Sequence, residues 1–328
     1  RLREAGVRNV RIGGQTCIIS YGSEDYLGIP KPCPDIVNEL FTALREMRFD
    51  VLHVDNANPA VIAEHPDGSA QILRTLAECC TPGNVLALGM ESADANVVTR
   101  NNLNSTPDQV MRAVRMINEA GAERGGNGMP RLLPGLNLIS GLDGESSGTY
   151  VKNVEFLRTI LAEGLMVRRI NIRQVLPVRR EFDTKVDHNR FKRYKQEIRE
   201  DIDAPMLRRV VPVGTVLRNV YLEIIDGGLT FGRQIGTYPL LIGIPYRTDI
   251  GRFCDTIVTD HGFRSITGIE YPFPINKANM AAISSLPGIG KKRAAKIVLA
   301  RPIRNKDELI AAVGDTAVGE HLLDLVAF

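Results

Sequence analysis

Apolar runs recur along the first half of the chain, each ending in a polar or glycine-rich cluster: RIGGQT (11–16), VLHVDNANP (51–59), VLALGMES (85–92), LNLISGLDGES (136–146) and INIRQV (170–175). Between them the apolar period lengthens to that of helices. In DIVNELFTALREM (35–47), Val37, Leu40, Phe41 and Leu44 share one face. TPDQVMRAVRMINEAG (106–121) opens on a Thr106 cap, with Pro107 in the first turn, Gln109 at the capping-box position and Gly121 as the expected C-cap. TYVKNVEFLRTILAEG (149–164) turns Val154, Leu157 and Leu161 inward and ends at Gly164. Strand and helix therefore alternate to residue 175, which predicts an α/β fold with parallel strands, as an open doubly wound sheet or as a barrel. Either form places ligand chemistry at the carboxyl ends of its strands.

The texture changes twice beyond that point. From about 180 to 209 the pattern is helical and basic around NRFKRYKQEIRE, and residues 168–218 hold fourteen Lys or Arg against seven Asp or Glu. That excess suits a polyanion or a solvated helix face. From Gly214 the runs VLRNVYLEI, GTYPLLIGIPY, CDTIVTDHG and RSITGIEY are short, β-rich and broken by Gly, Pro and Asp, as in a small barrel. After Pro274 the chain is helical again, with the first pair of short helices joined by LPGIG. The expected organisation is 1–180, a connector over 181–212, a barrel over 213–274 and a helical module over 275–328.

At 328 residues and 44% hydrophobic, the chain can bury a sizeable core and one or two smaller modules. No run approaches the ~20 apolar residues of a membrane span, so no membrane partner is expected. No G-x-G-x-x-G follows the first strand and no G-x-x-x-x-G-K-[ST] occurs, which removes the usual dinucleotide and P-loop readings. The five cysteines form no CxxC pair, and their odd number and scatter fit a reducing, cytoplasmic setting. The start RLREAGVRNV lacks an initiator Met, so the natural protein is expected to begin upstream.

The strand-end clusters carry chemistry of one kind. The two glycines of RIGGQT free carbonyls for a ligand ammonium, while GMES and DNANP supply carboxylate and amide groups for hydroxyls or cations. A zwitterionic, sulfonium-bearing cofactor would find its partners there. Arg173 should share the inward face of the last strand with Asn171 and is a candidate anchor for a carboxylate or an anionic substrate, or a structural ion pair. His53, with no second ligand at metal spacing, is expected to be a hydrogen-bonded core or rim residue. In LPGIGKKRAAKI, Gly288 and Gly290 allow a tight turn that exposes backbone N–H groups at a helix start beside Lys291 and Lys292, which suits a phosphate. Such hairpins also serve as packing modules.

Together, GGQ after the first strand, GMES with Asn101–Asn102 downstream, and LNLISGLDGES on the next strand resemble radical S-adenosylmethionine (SAM) enzymes. The whole chain is similar to the archaeal-type radical SAM proteins with a C-terminal helix-hairpin-helix motif, which residues 283–300 resemble closely. Residues 214–272 resemble the TRAM domain, a small tRNA-binding barrel, through Gly232–Arg233, Gly251 and RSITG. The resemblance implies a partial (β/α)6 radical SAM barrel, then a TRAM-like β-barrel, then the helical module. It implies that Gly13, Gly14 and Gln15 line the methionine end of S-adenosylmethionine, that Glu91 and Ser92 contact its amino or ribose groups, and that Asn137 lies near the adenosine. Gln15 stands where the family usually has an acid. Arg233, Arg247, Arg252 and Arg264 would then be phosphate contacts of the barrel, or ordinary surface arginines.

A radical SAM enzyme also carries a [4Fe–4S] cluster on three cysteines, usually CxxxCxxC, and no such triplet is present. In the family resembled, that loop precedes a helix ending in a pattern like RLREAG, so the resemblance implies cluster cysteines upstream of Arg1, with Cys17 and Cys33, sixteen residues apart, incidental and this chain alone expected to be inactive. The implied activity of the full-length protein is reductive cleavage of S-adenosylmethionine to a 5′-deoxyadenosyl radical, with an electron donor as partner and a nucleic acid as substrate, tRNA favoured and DNA possible. The alternatives are a non-catalytic nucleic-acid-binding protein with a degenerate barrel, and a radical enzyme acting on a protein or small molecule.

Overall fold

The computed structural model describes residues 1–14, 17–24, 28–176 and 186–328. Gln15, the end of the expected first strand and the start of the basic connector lie outside these residues. Two compact units are present, one formed by Arg1–Val210 with Gly236–Tyr238, the other by Val211–Ile235 with Pro239–Phe328.

In the first unit the chain runs β1 (Asn9–Ile12), α1 (Pro34–Glu46), β2 (Val51–Val54), β3 (Asn56–Ala57), α2 (Pro59–Glu64), α3 (Pro66–Cys79), β4 (Asn84–Glu91), α4 (Ala95–Arg100), α5 (Pro107–Gly121), β5 (Leu132–Ser140), α6 (Ser147–Ala162) and β6 (Arg169–Gln174). A helix α7 (His188–Ile198), a π-turn over Arg199–Asp203 and α8 (Ala204–Val210) follow. All strand pairs are parallel: β1 with β2, then β3, β4, β5 and β6 in sequence order. No strand order reverses, so this is not the doubly wound pattern with its central switch point. β2 and β3 are one apolar run interrupted at Asp55, whose carbonyl accepts from Ala87 N–H at 2.8 Å.

The helices form for the reasons their sequences give. Thr106 Oγ1 accepts from Gln109 N–H at 3.3 Å while the Gln109 side chain accepts from Thr106 N–H at 2.9 Å, a closed capping box. Val37, Phe41, Ile72, Leu73 and Leu76 of α1 and α3 are fully buried, each contributing about 1.5–3 kcal/mol by leaving water. Gly121 is not the C-cap expected of it. It is the last helical residue, and a Cβ there would overlap the Leu132 backbone, so glycine serves a close helix–strand approach. Gly164, at φ +75°, does end α6 in the left-handed conformation.

The second unit contains a closed five-stranded barrel of β7 (Val216–Asp226), β8 (Leu229–Gln234), β9 (Leu241–Ile244), β10 (Phe253–His261) and β11 (Ser265–Tyr271). β7, β8 and β9 form an antiparallel meander, β9 runs parallel to β11, and β10 closes the barrel against β7. Closure removes every free edge. Leu217, Val220, Leu222, Ile242, Ile244 and Ile266 are buried in the barrel, at period two except across the ladder irregularity between Leu217 and Val220. Then come β12 (Phe273–Pro274), α9 (Met280–Ser284), α10 (Lys291–Leu299), α11 (Lys306–Val313), α12 (Thr316–Leu323) and β13 (Val326–Ala327), with β12 and β13 paired in parallel. Among the described residues no helix is long and apolar enough to cross a membrane. The protein is thus an α/β chain with a closed β-barrel and a helical module.

Candidate functional site

Residues near the carboxyl ends of β3, β4 and β5 meet residues 17–20 and 102–105 around a cavity of about 370 Å³, within the usual range of small-molecule sites. Strand periodicity decides which side chains reach it. Ala87, Gly89 and Glu91 of β4 line it, and the register sets Gly89 beside Asn137 of β5 and Asn137 beside Asn171 of β6. Asn171 Nδ2 donates to Asn137 Oδ1 at 3.1 Å, which orients that amide.

Glu91 dominates the electrostatics. Its backbone is left-handed at φ +59°, at a register shift between Gly89 and Glu91 in the β4–β5 ladder. The carboxylate folds back over Gly89, where a Cβ would sit 3.0 Å from Oε1. Oε2 is buried with no hydrogen-bond partner among the described residues, and burial raises the carboxyl pKa to about 7. A buried acceptor without a donor is what an absent cationic or hydroxylic ligand would satisfy.

The rest of the wall is amide-rich. Asn56, Asn58, Asn102, Asn104 and Asn137 line the cavity with Ser20 and Ser105. Asn58 caps α2 by accepting from Ala60 N–H at 2.9 Å, and its own N–H donates to Cys17 Sγ at 3.1 Å. Cys17 therefore belongs to the cavity wall. Asn102 is left-handed at φ +47°, and Asn101 is tied to the Val97 and Asp143 carbonyls at 2.8 and 2.9 Å.

The remaining expected cofactor residues are placed differently. Ser92 is buried and its hydroxyl accepts from Asp94 N–H at 3.1 Å, so it shapes the entry to α4 and does not line the cavity. Gly13 and Gly14 follow β1 beside Asp55, with a Gly13 Cβ 4.0 Å from Asp55 Oδ2, and are not among the lining residues. Arg173 is exposed near the end of β6 and outside the wall. A further polar cluster was not legible in the sequence. Arg11 is ion-paired with Asp55, Tyr238 OH donates to Asp55 at 3.1 Å, and Arg169 lies 3.8 Å over the Tyr238 ring. His53 is buried beside it, accepting from Thr237 N–H at 3.0 Å, and burial lowers its pKa to about 4.

The donor set fits one implied group and not the other. Amides, hydroxyls and a carboxylate whose buried Oε2 lacks a partner among the described residues would suit the ammonium and ribose of S-adenosylmethionine. For a [4Fe–4S] cluster the thiols are wrongly disposed: Cys17 lines the cavity, Cys33 precedes α1, Cys79 and Cys80 end α3, and Cys254 lies on β10. Among the described residues no group of three or more His, Cys, Asp or Glu can hold a metal.

In the second unit, Gly288 is left-handed at φ +73° and Gly290 caps α10 without a side-chain hydrogen bond, leaving Lys291 and Lys292 exposed at the helix start. The neighbouring α12 is closed instead, because Asp315 accepts from Val318 N–H at 3.2 Å. Of the barrel arginines, Arg233 is ion-paired with Glu223 at 2.9 Å and Arg252 with Glu270. Arg247 and Arg264 are exposed.

No family model matches the sequence. An uncharacterized protein of Methanocaldococcus jannaschii is 46% identical over 282 residues, covering 81% of this chain and 51% of the relative. An uncharacterized protein of Archaeoglobus fulgidus is 37% identical over 326 residues, covering 97% of this chain and 61% of the relative. The chain spans between about half and three fifths of the length of these curated relatives.

Proposed function

We propose that this chain belongs to a radical S-adenosylmethionine enzyme acting on a nucleic acid, tRNA first, with the parallel strands of the first unit as a partial (β/α)6-type barrel and the closed barrel as a TRAM-like module. The observation that carries the reading is Glu91, whose buried Oε2 has no hydrogen-bond partner among the described residues, facing a cavity of small-molecule size at the carboxyl ends of parallel strands. Bound S-adenosylmethionine would supply 5′-deoxyadenosyl radical chemistry in the whole protein.

The chain's own residues hold and orient the cofactor. Glu91, ionised above about pH 7, accepts from the cofactor's ammonium or ribose hydroxyls. The Asn137 amide, fixed by Asn171, offers a directed hydrogen bond beside it. Gly288, Gly290, Lys291 and Lys292 grip backbone phosphate without reading bases, because α10 starts without a side-chain cap at Gly290 and Lys291 and Lys292 are exposed in its first turn.

Anaerobic reconstitution of the full-length protein, followed by assay for 5′-deoxyadenosine, tests the chemistry. Product formation is expected, and its failure with a loaded cluster and a strong reductant would overturn the assignment. Gel-shift titration against tRNA and duplex DNA tests the substrate class. The expected result is salt-dependent binding that K291A/K292A weakens without changing sequence preference.

A further inference from the structure

The second unit carries its own cavity, about 390 Å³, lined by Asn219 of β7, residues 252–255 around the start of β10, and Glu270 to Pro272 at the end of β11. Its charges are internally met. Arg252 bonds Glu270 and donates to Thr248 Oγ1 at 3.0 Å, while Asp255 accepts from Arg218 Nη1 at 2.8 Å. Neither pair leaves a net charge to select a phosphate or an ammonium group.

Beside these paired charges the cavity offers the Phe253 ring, Tyr271, Pro272 and one amide. Phe253 is 52% exposed, its ring 5.1 Å from that of Tyr221 at 53°, and Tyr271 and Pro272 also line the space. Asn219 is held left-handed at φ +56°, with its N–H donating to Asp255 Oδ1 at 3.0 Å. Its amide has both a donor and an acceptor. A neutral planar ring with a hydrogen-bonding edge is the complementary ligand. It gains a stacking face from Phe253 and a polar contact from Asn219, and it loses nothing for lack of charge.

We propose that this cavity receives an unpaired nucleobase from a single-stranded segment of the bound nucleic acid. The inference rests on the nucleic-acid reading above and adds to it a contact through the face of a base, separate from the phosphate grip at Gly288–Lys292. Stacking of this kind tolerates sequence, because every base presents a π-face.

The chain contains no tryptophan, so F253W places a lone fluorescent reporter at the proposed site. The experiment titrates the whole chain, as F253W, F253A and the parent, with a single-stranded RNA octamer and with an abasic strand of the same length and charge. Expected are quenching of the F253W emission by the base-bearing strand only, and an affinity for that strand about tenfold lower or worse in F253A, in keeping with the usual loss on removing a stacking aromatic. Affinity for the abasic strand should not change. Equal binding of both strands by the parent and F253A, with unmoved F253W emission and binding still lost in K291A/K292A, overturns the base pocket and leaves the nucleic-acid reading standing. Absence of binding to either strand by the parent overturns both. Quenching by an aromatic peptide but not by the RNA overturns the pocket as a base site in favour of a protein partner.

Discussion

Glu91 lays its carboxylate over Gly89, two residues earlier on the same strand, so closely that any side chain at 89 would meet it at 3.0 Å. The atom in the way is the mobile end of a side chain, so G89A should fold with little loss, within about 1 kcal/mol, while driving the carboxylate out of place. Affinity for S-adenosylhomocysteine, measured by calorimetry, should fall about tenfold or more while the melting temperature barely moves, a loss of one charged hydrogen bond. A large drop in melting temperature with unchanged affinity would refute the arrangement.

The raised pKa of Glu91, about 7 because of burial, links the site to stability. In the unfolded chain the group ionises near the usual carboxylate value, so between about pH 4.5 and 7 the unfolded state releases a proton that the folded state keeps. Folding is therefore disfavoured progressively as pH rises through that window, and the penalty stays constant above it. E91Q should be more stable than the parent by on the order of 1–3 kcal/mol at pH 8, with the difference gone near pH 4. Urea melts across pH read this directly. Affinity for a cationic ligand should run the other way, rising with pH through about 7.

His53 shows the opposite dependence. Buried and accepting from Thr237 N–H, with its other ring nitrogen 3.0 Å from the Thr81 carbonyl, it is held neutral with its pKa lowered to about 4. Below the unfolded value near 6.5 the unfolded state takes up a proton that the folded state refuses, so stability falls with pH from about 6.5 to 4. The effect should reach about 2 kcal/mol by pH 5. H53Q should be less stable than the parent at pH 8 and close part of that gap by pH 5, and hydrogen exchange at Thr237 should rise in the variant.

Arg293 braces the helical hairpin by donating to the Gly288 carbonyl at 2.8 Å and to Asp315 at 2.7 Å. Asp315 does two jobs, since its other oxygen caps α12. D315N keeps a competent cap and should cost about 0.5 kcal/mol, whereas D315A loses cap and ion pair together and should cost about 1–2 kcal/mol in urea melts. R293M should weaken nucleic-acid binding beyond the effect of its one lost charge, because the Gly288 turn is no longer held. Equal costs for D315N and D315A would show that the cap contributes nothing.

Local signals carried much of the architecture. The Thr106–Gln109 box, the αL Gly164 and the period-two runs of the barrel are encoded within a few residues, and the elements formed where those signals stand. The helices α2 and α3 went unread although Asn58–Pro59 and His65–Pro66 mark their starts, because their short polar interruptions broke the apolar period. Gly121 looked like a terminator and proved to be a packing residue, since only the neighbouring Leu132 strand shows why a side chain is excluded. The acids that pair with Arg233 and Arg252, Glu223 and Glu270, sit ten and eighteen residues away on other strands, so neither pair is written in the local sequence.

By itself the sequence determined an alternating α/β segment, a β-rich segment and a glycine-hinged hairpin, because each is written in short-range periodicity and capping. The tertiary structure decided which polar groups share a cavity. Cys17, Asn58, Asn102, Glu91 and Asn137 come together there only through parallel register and the packing of two loops against strand ends. It also decided that Oε2 of Glu91 is buried without a hydrogen-bond partner among the described residues. Burial and the lack of a partner belong to the space around a side chain, and neither is encoded in the residues beside it in the chain.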